Sequence, residues 1–242
     1  ITEQHLGAKV MVEVLKRAGL APEMIDEIIL GTAKQTSVPS NCARHSALVA
    51  GLPVSVPAYT TQRQSASGSQ AIANAFYAIR SGDANAVIAG GTENMSLIPR
   101  EVHNGRYSFN ESTRIIFDPI AAQISGAQPV GRYAAQTAES LSQNIAQLYG
   151  ITEHEQEVYT RTSVQKARAR SSGNEILPIH VKKGKITETV SQDELYEETH
   201  TVARPADGAA VSVLLSGSAA SAAGAAASAT GAAVGAAADA AG

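Results

Sequence analysis

Val56-Pro57-Ala58-Tyr59-Thr60-Thr61-Gln62-Arg63-Gln64-Ser65-Ala66-Ser67-Gly68-Ser69-Gln70 reads as a buried strand running directly into a helix. Residues 56–61 have the composition of a strand, and residues 70–80 carry Ile72, Ala73, Phe76 and Ile79 on one face at helical spacing. Ser65 then falls at the helix N-terminus. Unpaired N–H groups and the positive end of the helix dipole favour a developing negative charge there. A side chain in this place can attack a carbonyl while neighbouring amides hold the oxyanion. The simpler reading of the same position is a helix N-cap.

Outward from this junction the elements alternate. Thr2 stands as an N-cap, Leu6, Val10, Met11, Val14 and Leu15 recur at helical spacing, and Gly19 stops the run, which predicts a helix over 3–18. After the Ala21-Pro22 turn, Glu27-Ile28-Ile29-Leu30-Gly31 is a short apolar strand of the kind covered on both faces. A helix over 41–50 and a strand over 84–89, ending in Gly90-Gly91, follow. With no hairpin signal among them, these elements predict a parallel arrangement between helices. From 96 to about 124 the periodicity is lost at Pro99, Asn104, Gly105, Asn110 and Pro119. Helices return over 134–149, with Ala138, Leu141, Ile145 and Leu148 on one stripe, and over 152–171, opened by a Thr152/Glu155 capping box. A turn at Asp207-Gly208 and a strand over 209–215 lead back to the core.

A formal net charge of −3 over 242 residues gives no long-range field to attract nucleic acid or anionic lipid. Neither is an expected partner. No apolar run approaches the ~20 residues of a membrane span, and no charged-then-apolar leader opens the sequence. One cysteine, Cys42, excludes an internal disulfide framework and a Cys-rich metal site. A cytoplasmic location is expected. His5, His45, His103, His180 and His200 have no ligand spacing, and Val158 stands where a zinc-protease helix opened by His154-Glu155 needs its second histidine. No metal site is expected. The basic residues Arg161, Lys166, Arg168, Arg170, Lys182, Lys183 and Lys185 read either as a solvated face or as contacts for phosphates.

Residues 60–72 resemble the acyl-enzyme segment of the thiolases, in which a cysteine normally precedes the small-Ser-Gly triplet; here that position is Ser65. Asn41-Cys42-Ala43-Arg44-His45-Ser46-Ala47-Leu48 is similar to the family's Asn-Pro-Ala-Arg-Gln helix start, and Ala89-Gly90-Gly91-Thr92-Glu93-Asn94-Met95-Ser96 to its Ala-Gly-Gly-x-Glu-x-Met-Ser loop. Gly131-Arg132-Tyr133 through Thr137-Ala138-Glu139 resembles the loop-domain segment before the acyl-CoA pocket, and Ala206-Asp207-Gly208-Ala209-Ala210 the return into the core. The resemblance covers roughly residues 1 to 215.

It implies an α/β, thiolase-like layered fold, a mixed sheet between helices with an inserted helical loop domain. The expected division is an N-terminal domain over 1–96, the loop domain over 97–205, a return over 206–215 and a remainder over 216–242. The implied function is acyl transfer on coenzyme A thioesters, as thiolysis of a 3-oxoacyl-CoA or Claisen condensation of acyl-CoA. Coenzyme A thioester is the implied substrate, no metal or redox cofactor is implied, and the implied assembly is a homodimer or homotetramer. Ser65 takes the nucleophile position, with its own backbone N–H in an oxyanion hole. Tyr133 and Ala134 occupy acyl-pocket positions where short-chain members commonly carry His-Met, and Gly90-Gly91 sit in a loop supporting the site, or simply in a tight turn. The general-base histidine and a second cysteine belong to a C-terminal half whose Asn-Glu-Ala-Phe, Gly-His-Pro and Cys-x-Gly loops this sequence does not contain. The chain, beginning at Ile1, is therefore expected to be a fragment, a processed chain or the ordered part of something larger.

A helix N-terminus brings a thiol pKa from ~8.5 toward neutrality, and a thiolate attacks without a strong base beside it. A serine hydroxyl stays protonated and forms an oxygen ester, from which return to a thiol is less favourable. Ser65 is expected to preserve the pocket and lose most of the turnover. Three explanations of it stand open: an engineered exchange made to trap a ligand, a naturally inactive acyl-CoA-binding or scaffolding homologue, or a true serine nucleophile, which needs a base and an orienting acid. Ser67 and Gly68 are expected to let the helix start pack closely, and Cys42 reads as a small packing residue. Residues 216–242 contain only Ala, Ser, Gly, Thr, Val and Asp239. They read either as a low-complexity tail or as a stand-in for bulkier sequence; an intact mass of 25.0 kDa rejects the second reading.

Overall fold

Ile28 and Ile29 are adjacent, both fully buried, and on opposite faces of one strand, so the sheet must be covered on both sides. The computed structural model describes residues 1–102, 116–125, 129, 131–133, 138–169, 175–191 and 233–236. In it β1 (Glu27–Gly31) is flanked in parallel by β2 (Ala58–Thr61) and β3 (Ala86–Gly91). β8 (Ala233–Ala236) runs antiparallel to β3, giving the order β2-β1-β3-β8. The sheet is mixed and lies in an α/β fold, as expected.

On one face, Ile28 joins Met11 and Leu15 of α1 (Glu3–Ala18) and Ala43 and Ala47 of α2 (Cys42–Val49) in a buried cluster. On the other, Ile29, Val87 and Ala89 meet Ala71 and Ala75 of α3 (Ser67–Ser81). α1 begins and ends where its spacing predicts. Gly19 closes it at φ 66°, with the Leu20 amide reaching back to the Leu15 carbonyl. Asp26 ties the strand starts together: its carboxylate accepts the Asn85 and Ala86 amides at 2.6 and 3.1 Å. These backbone donors hold its pKa below the usual carboxylate range.

The face of α3 turned to the core differs from the one the large apolar residues suggest. Ala71 and Ala75 are buried, whereas Ile72 is 42% and Phe76 57% exposed. The helix lies too close to the sheet for large side chains: a Cβ on Gly31 would stand 2.3 Å from the Ser67 carbonyl carbon. Close approach selects the alanine stripe; Ile72 and Phe76 face away, and Ile79 packs half-buried against the cluster.

β8 falls in the stretch read from the sequence as poor in packing volume. Strand pairing uses backbone N–H and C=O groups, which every residue there possesses. The strand expected over 209–215 lies outside the described residues. A hairpin, β6 (Ile179–Lys183) with β7 (Ile186–Val190), stands within residues 97–205, expected to be a mainly helical loop domain, where no strand was anticipated. Alternating Ile179 and Val181, with Gly184 at the tip, were the overlooked signals; Gly184 takes φ 63° there.

The chain divides into two compact units, Ile1–Ile98 with Leu177–Val190 and Ala225–Gly242, and Pro99–Ile176 with Ser191–Gly224. The second unit contains the β4 (Glu101–Val102) and β5 (Ile116–Phe117) ladder, α4 (Pro119–Ser125), α5 (Ala138–Tyr149) and α6 (Glu153–Ala169). The capping box forms: the Thr152 amide and hydroxyl both reach Glu155 Oε2 at 2.8 Å, and the Glu155 amide donates to Thr152 Oγ1 at 3.3 Å. No described helix is long and apolar enough to cross a membrane.

Candidate active site

β2 ends at Thr61 and α3 begins at Ser67, so Ser65 sits in the connecting turn, ahead of the helix rather than within its first turn. It is exposed. The turn is tightly bonded. The Ala66 and Ser67 amides donate to the Arg63 and Gln64 carbonyls at 3.1 and 3.0 Å, so both are spent inside the turn and neither can serve a ligand. Gln64 has φ 50°, a left-handed conformation that costs a side-chain-bearing residue about 1 kcal/mol or more. The buried Ser67 hydroxyl accepts the Arg63 amide at 2.8 Å and has the Gln64 and Thr32 carbonyls at 2.5 and 3.1 Å as acceptors.

The strand leading into this turn is fastened by the segment around Asn41. Asn41 Oδ1 caps α2 by accepting the Arg44 amide at 3.0 Å, and it also accepts the Thr60 hydroxyl at 3.1 Å. Its Nδ2 donates to the Ala58 carbonyl at 3.0 Å, while Thr60 Oγ1 accepts the Ala43 amide at 3.0 Å. Arg44 donates to the Val56 and Val54 carbonyls at 2.6 and 2.8 Å. Segments that look separate in sequence thus make one polar clasp between α2 and β2.

Gly90 and Gly91 are the last residues of β3, paired with Leu30 and Gly31 of β1. They lie in the sheet at the end where the Ser65 turn is built. Gly31 makes the connection, since it packs against the Ser67–Gly68 backbone. Sequence reasoning placed the close approach on Ser67 and Gly68 and missed its other half; the signal was a glycine ending an otherwise bulky apolar strand. Tyr133 lies in the second unit, 57% exposed, with the Arg132 guanidinium 5.9 Å from its ring centre. Ala134 lies outside the described residues.

Residues 1–228 match the family model described as the thiolase N-terminal domain. The chain belongs to the thiolase family. It is 36% identical over 205 residues to a probable acetyl-CoA acyltransferase of Staphylococcus aureus (strain COL), a match covering 81% of this chain and 50% of that protein. It is 37% identical over 190 residues to an acetyl-CoA acetyltransferase of Allochromatium vinosum, covering 75% and 46%. The crystal structure of the Bacillus anthracis acetyl-CoA acetyltransferase superposes with a TM-score of 0.70 at 33% identity, over 80% of this chain and 49% of that one. The chain spans about half the length of the relatives it matches.

In this thiolase chain two further groups bear on the site. Cys42 is buried, and burial pushes its thiol up to about 11, which leaves it unreactive. The Glu93 carboxylate, half-buried, accepts the Ala33 and Lys34 amides at 2.6 and 3.2 Å and so holds the loop after β1 to the loop after β3. Burial raises its pKa above 4.5, and the two amide bonds only partly oppose this. A carboxyl group with a raised folded-state pKa binds its proton more tightly in the folded protein. Its contribution to stability is therefore complete below 4.5 and is lost as pH rises through the raised value. Glu93→Gln keeps an acceptor oxygen and removes the charge. The difference in melting temperature between wild type and this variant is expected to shift in favour of the variant as pH rises from ~4 to ~7. A difference that stays flat over that range contradicts the assignment.

Proposed function

We propose that the protein containing this chain performs acyl transfer on coenzyme A thioesters, with residue 65 at the position that receives the acyl group. The observation that supports this most directly is the presentation of Ser65: an exposed residue on a turn whose Arg63, Ala66 and Ser67 amides are bonded, just ahead of α3 and beside the ends of β1 and β3, in a chain of the thiolase family. In the proposed half-reaction the side chain at 65 attacks the carbonyl carbon and the acyl group moves to it. The leaving group is the coenzyme A thiolate in the condensing direction, or the carbanion of a shorter acyl-CoA in thiolysis; either one takes up the proton that the side chain at 65 gives up. The Ser65 backbone N–H is proposed as one donor to the oxyanion.

A second reading, acyl-CoA binding without turnover, is favoured by a specific observation. Residue 65 is a serine, and a hydroxyl, unlike a thiol at a helix start, stays protonated at neutral pH. One experiment separates the two. Full chain and its Ser65→Cys variant are incubated with acetyl-CoA, and acyl adducts are located by peptide mass spectrometry. Acetylation of the Ser65→Cys thiol at a rate at least ~100-fold above that of Ser65 is expected, the difference between a thiolate and an unactivated hydroxyl. A folded Ser65→Cys variant that binds acetyl-CoA and never becomes acylated leaves only the binding reading; one that does neither defeats both.

A further inference from the structure

We propose that Ser67 is a positioning residue for the side chain at position 65: its buried hydroxyl holds the 63–66 turn in the backbone arrangement that presents residue 65 ahead of α3. The inference rests on the acyl-transfer reading for what residue 65 does, and on the geometry of the turn for how it is held.

Ser67 is 3% exposed, so its hydroxyl must find its partners inside the protein. A hydroxyl has one proton to donate and lone pairs to accept with. Here it accepts the Arg63 amide at 2.8 Å, and its proton is shared between the carbonyls of Gln64 at 2.5 Å and Thr32 at 3.1 Å. The Ser67 amide reaches the same Gln64 carbonyl at 3.0 Å. One residue therefore grips the chain on the N-terminal side of Ser65 at Arg63 and Gln64, and ties it to the end of β1 through Thr32.

Gln64 explains why such a grip is needed. Its φ of 50° lies where side-chain-bearing residues rarely sit, and such conformations persist only when the surroundings enforce them. Relaxation to an ordinary negative φ swings the following chain by on the order of 100°, carrying residue 65 away from the helix start. The helix cannot shift to compensate, because the Ser67–Gly68 backbone is already packed against Gly31 with no room for even a Cβ between them. Alanine at 67 retains the amide bond to Gln64 but loses the acceptor for Arg63 and the donor for Thr32. A merely space-filling serine in the core has no such link to the backbone angle of Gln64.

The test uses a thiol as reporter and needs no turnover. In the full chain, Ser65→Cys is alkylated with iodoacetamide across a pH series, the chain without that substitution giving the background from Cys42, which is 4% exposed. The Ser65→Cys thiol is expected to show an inflection below the ~8.5 of a free cysteine. Adding Ser67→Ala is expected to move the inflection up by about one unit and to slow alkylation at neutral pH about tenfold. Adding Gln64→Gly to that pair is expected to restore both, because glycine adopts positive φ without steric cost. An unchanged profile on Ser67→Ala overturns the proposal. So does a failure of Gln64→Gly to rescue, and so does an ordinary inflection in Ser65→Cys alone. Should the Ser67→Ala pair fail to fold, as judged by circular dichroism, recovery of both fold and inflection in the Gln64→Gly triple variant supports the proposal, and no recovery overturns it. A depressed inflection in a Ser65→Cys chain that acetyl-CoA never acylates refutes the acyl-transfer reading alone.

Discussion

Gly31→Ala is expected to destabilise the first unit by about 3 kcal/mol, the upper part of the range for overpacking a well-filled interior. In a domain of this size that lowers the melting temperature by roughly 10 °C. The added Cβ would stand 2.3 Å from the Ser67 carbonyl carbon, 2.4 Å from its oxygen and 2.5 Å from the Gly68 nitrogen. All three are backbone atoms at the start of a helix, so no side-chain rotation relieves the overlap. Either α3 moves off the sheet, opening the Ile29, Ala71 and Ala75 cluster, or β1 loses its pairing at Gly31 with Thr61 and Gly91. Gly7→Ala is the control. Its Cβ would meet Ser46 Oγ at 2.9 Å and Leu30 Cδ1 at 3.3 Å, which are side-chain atoms. The substitution also gains about 1 kcal/mol of helix propensity within α1, so its net effect is expected to be near zero. Thermal unfolding of both variants decides: equal, small shifts would show that the contact at Gly31 is not tight.

Asn41→Ala is expected to cost about 2–3 kcal/mol: about 1 for the lost helix cap, and about 1 each for the bonds to Thr60 and Ala58. The side chain caps the start of α2 and holds β2 through contacts that alanine cannot make. Because Thr60 belongs to the same clasp, Asn41→Ala and Thr60→Val are expected to be non-additive, with a coupling of about 1 kcal/mol in a double-mutant cycle. Urea denaturation midpoints provide the measurement. A cost below ~0.5 kcal/mol, the level of an ordinary surface substitution, would return Asn41 to the status of a simple loop residue.

Both substitutions act on how Ser65 is presented rather than on Ser65 itself. The turn is assembled from three parts of the chain: the end of β1 at Gly31 and Thr32, the clasp at Asn41, and Ser67 at the helix start. Glu93 fastens the loop that follows β1. Loosening any of them is expected to change the reactivity of residue 65 before it unfolds the protein.

Much of this was legible in the chain. The first helix was readable from its apolar spacing and its closing glycine, because both are local. The buried strand over 27–31 was readable because a run of Ile28, Ile29 and Leu30 has nowhere to go but between two layers. The capping box at Thr152 and Glu155 formed as spaced. The candidate nucleophile position was found from local sequence, by its place between a strand and a helix. Where the reading failed, the deciding quantity was a distance between elements. Ile72 and Phe76 are larger than the alanines of α3 and outweigh them in hydrophobicity, yet the core takes Ala71 and Ala75, with Ile79 half-buried beside them. The start of α3 turned on a hydroxyl, Ser67, that bonds backward to Arg63 and across to Thr32.

The sequence by itself determined the alternation of strand and helix, the parallel arrangement of the first strands, the family and the placement of residue 65 between a strand and a helix, because each depends on local periodicity or on short motifs. Only the tertiary structure decided which face of α3 is buried, that Gly31 rather than Gly68 alone permits the close approach, that Gln64 is held at positive φ, and that Asn41, Thr60 and Arg44 act as one clasp. The physical reason is that a backbone meeting backbone at van der Waals contact, and hydrogen bonds joining separate elements such as those of Asn41, Arg44 and Thr60 or of Ser67 to Thr32, depend on where the whole sheet places its strand ends.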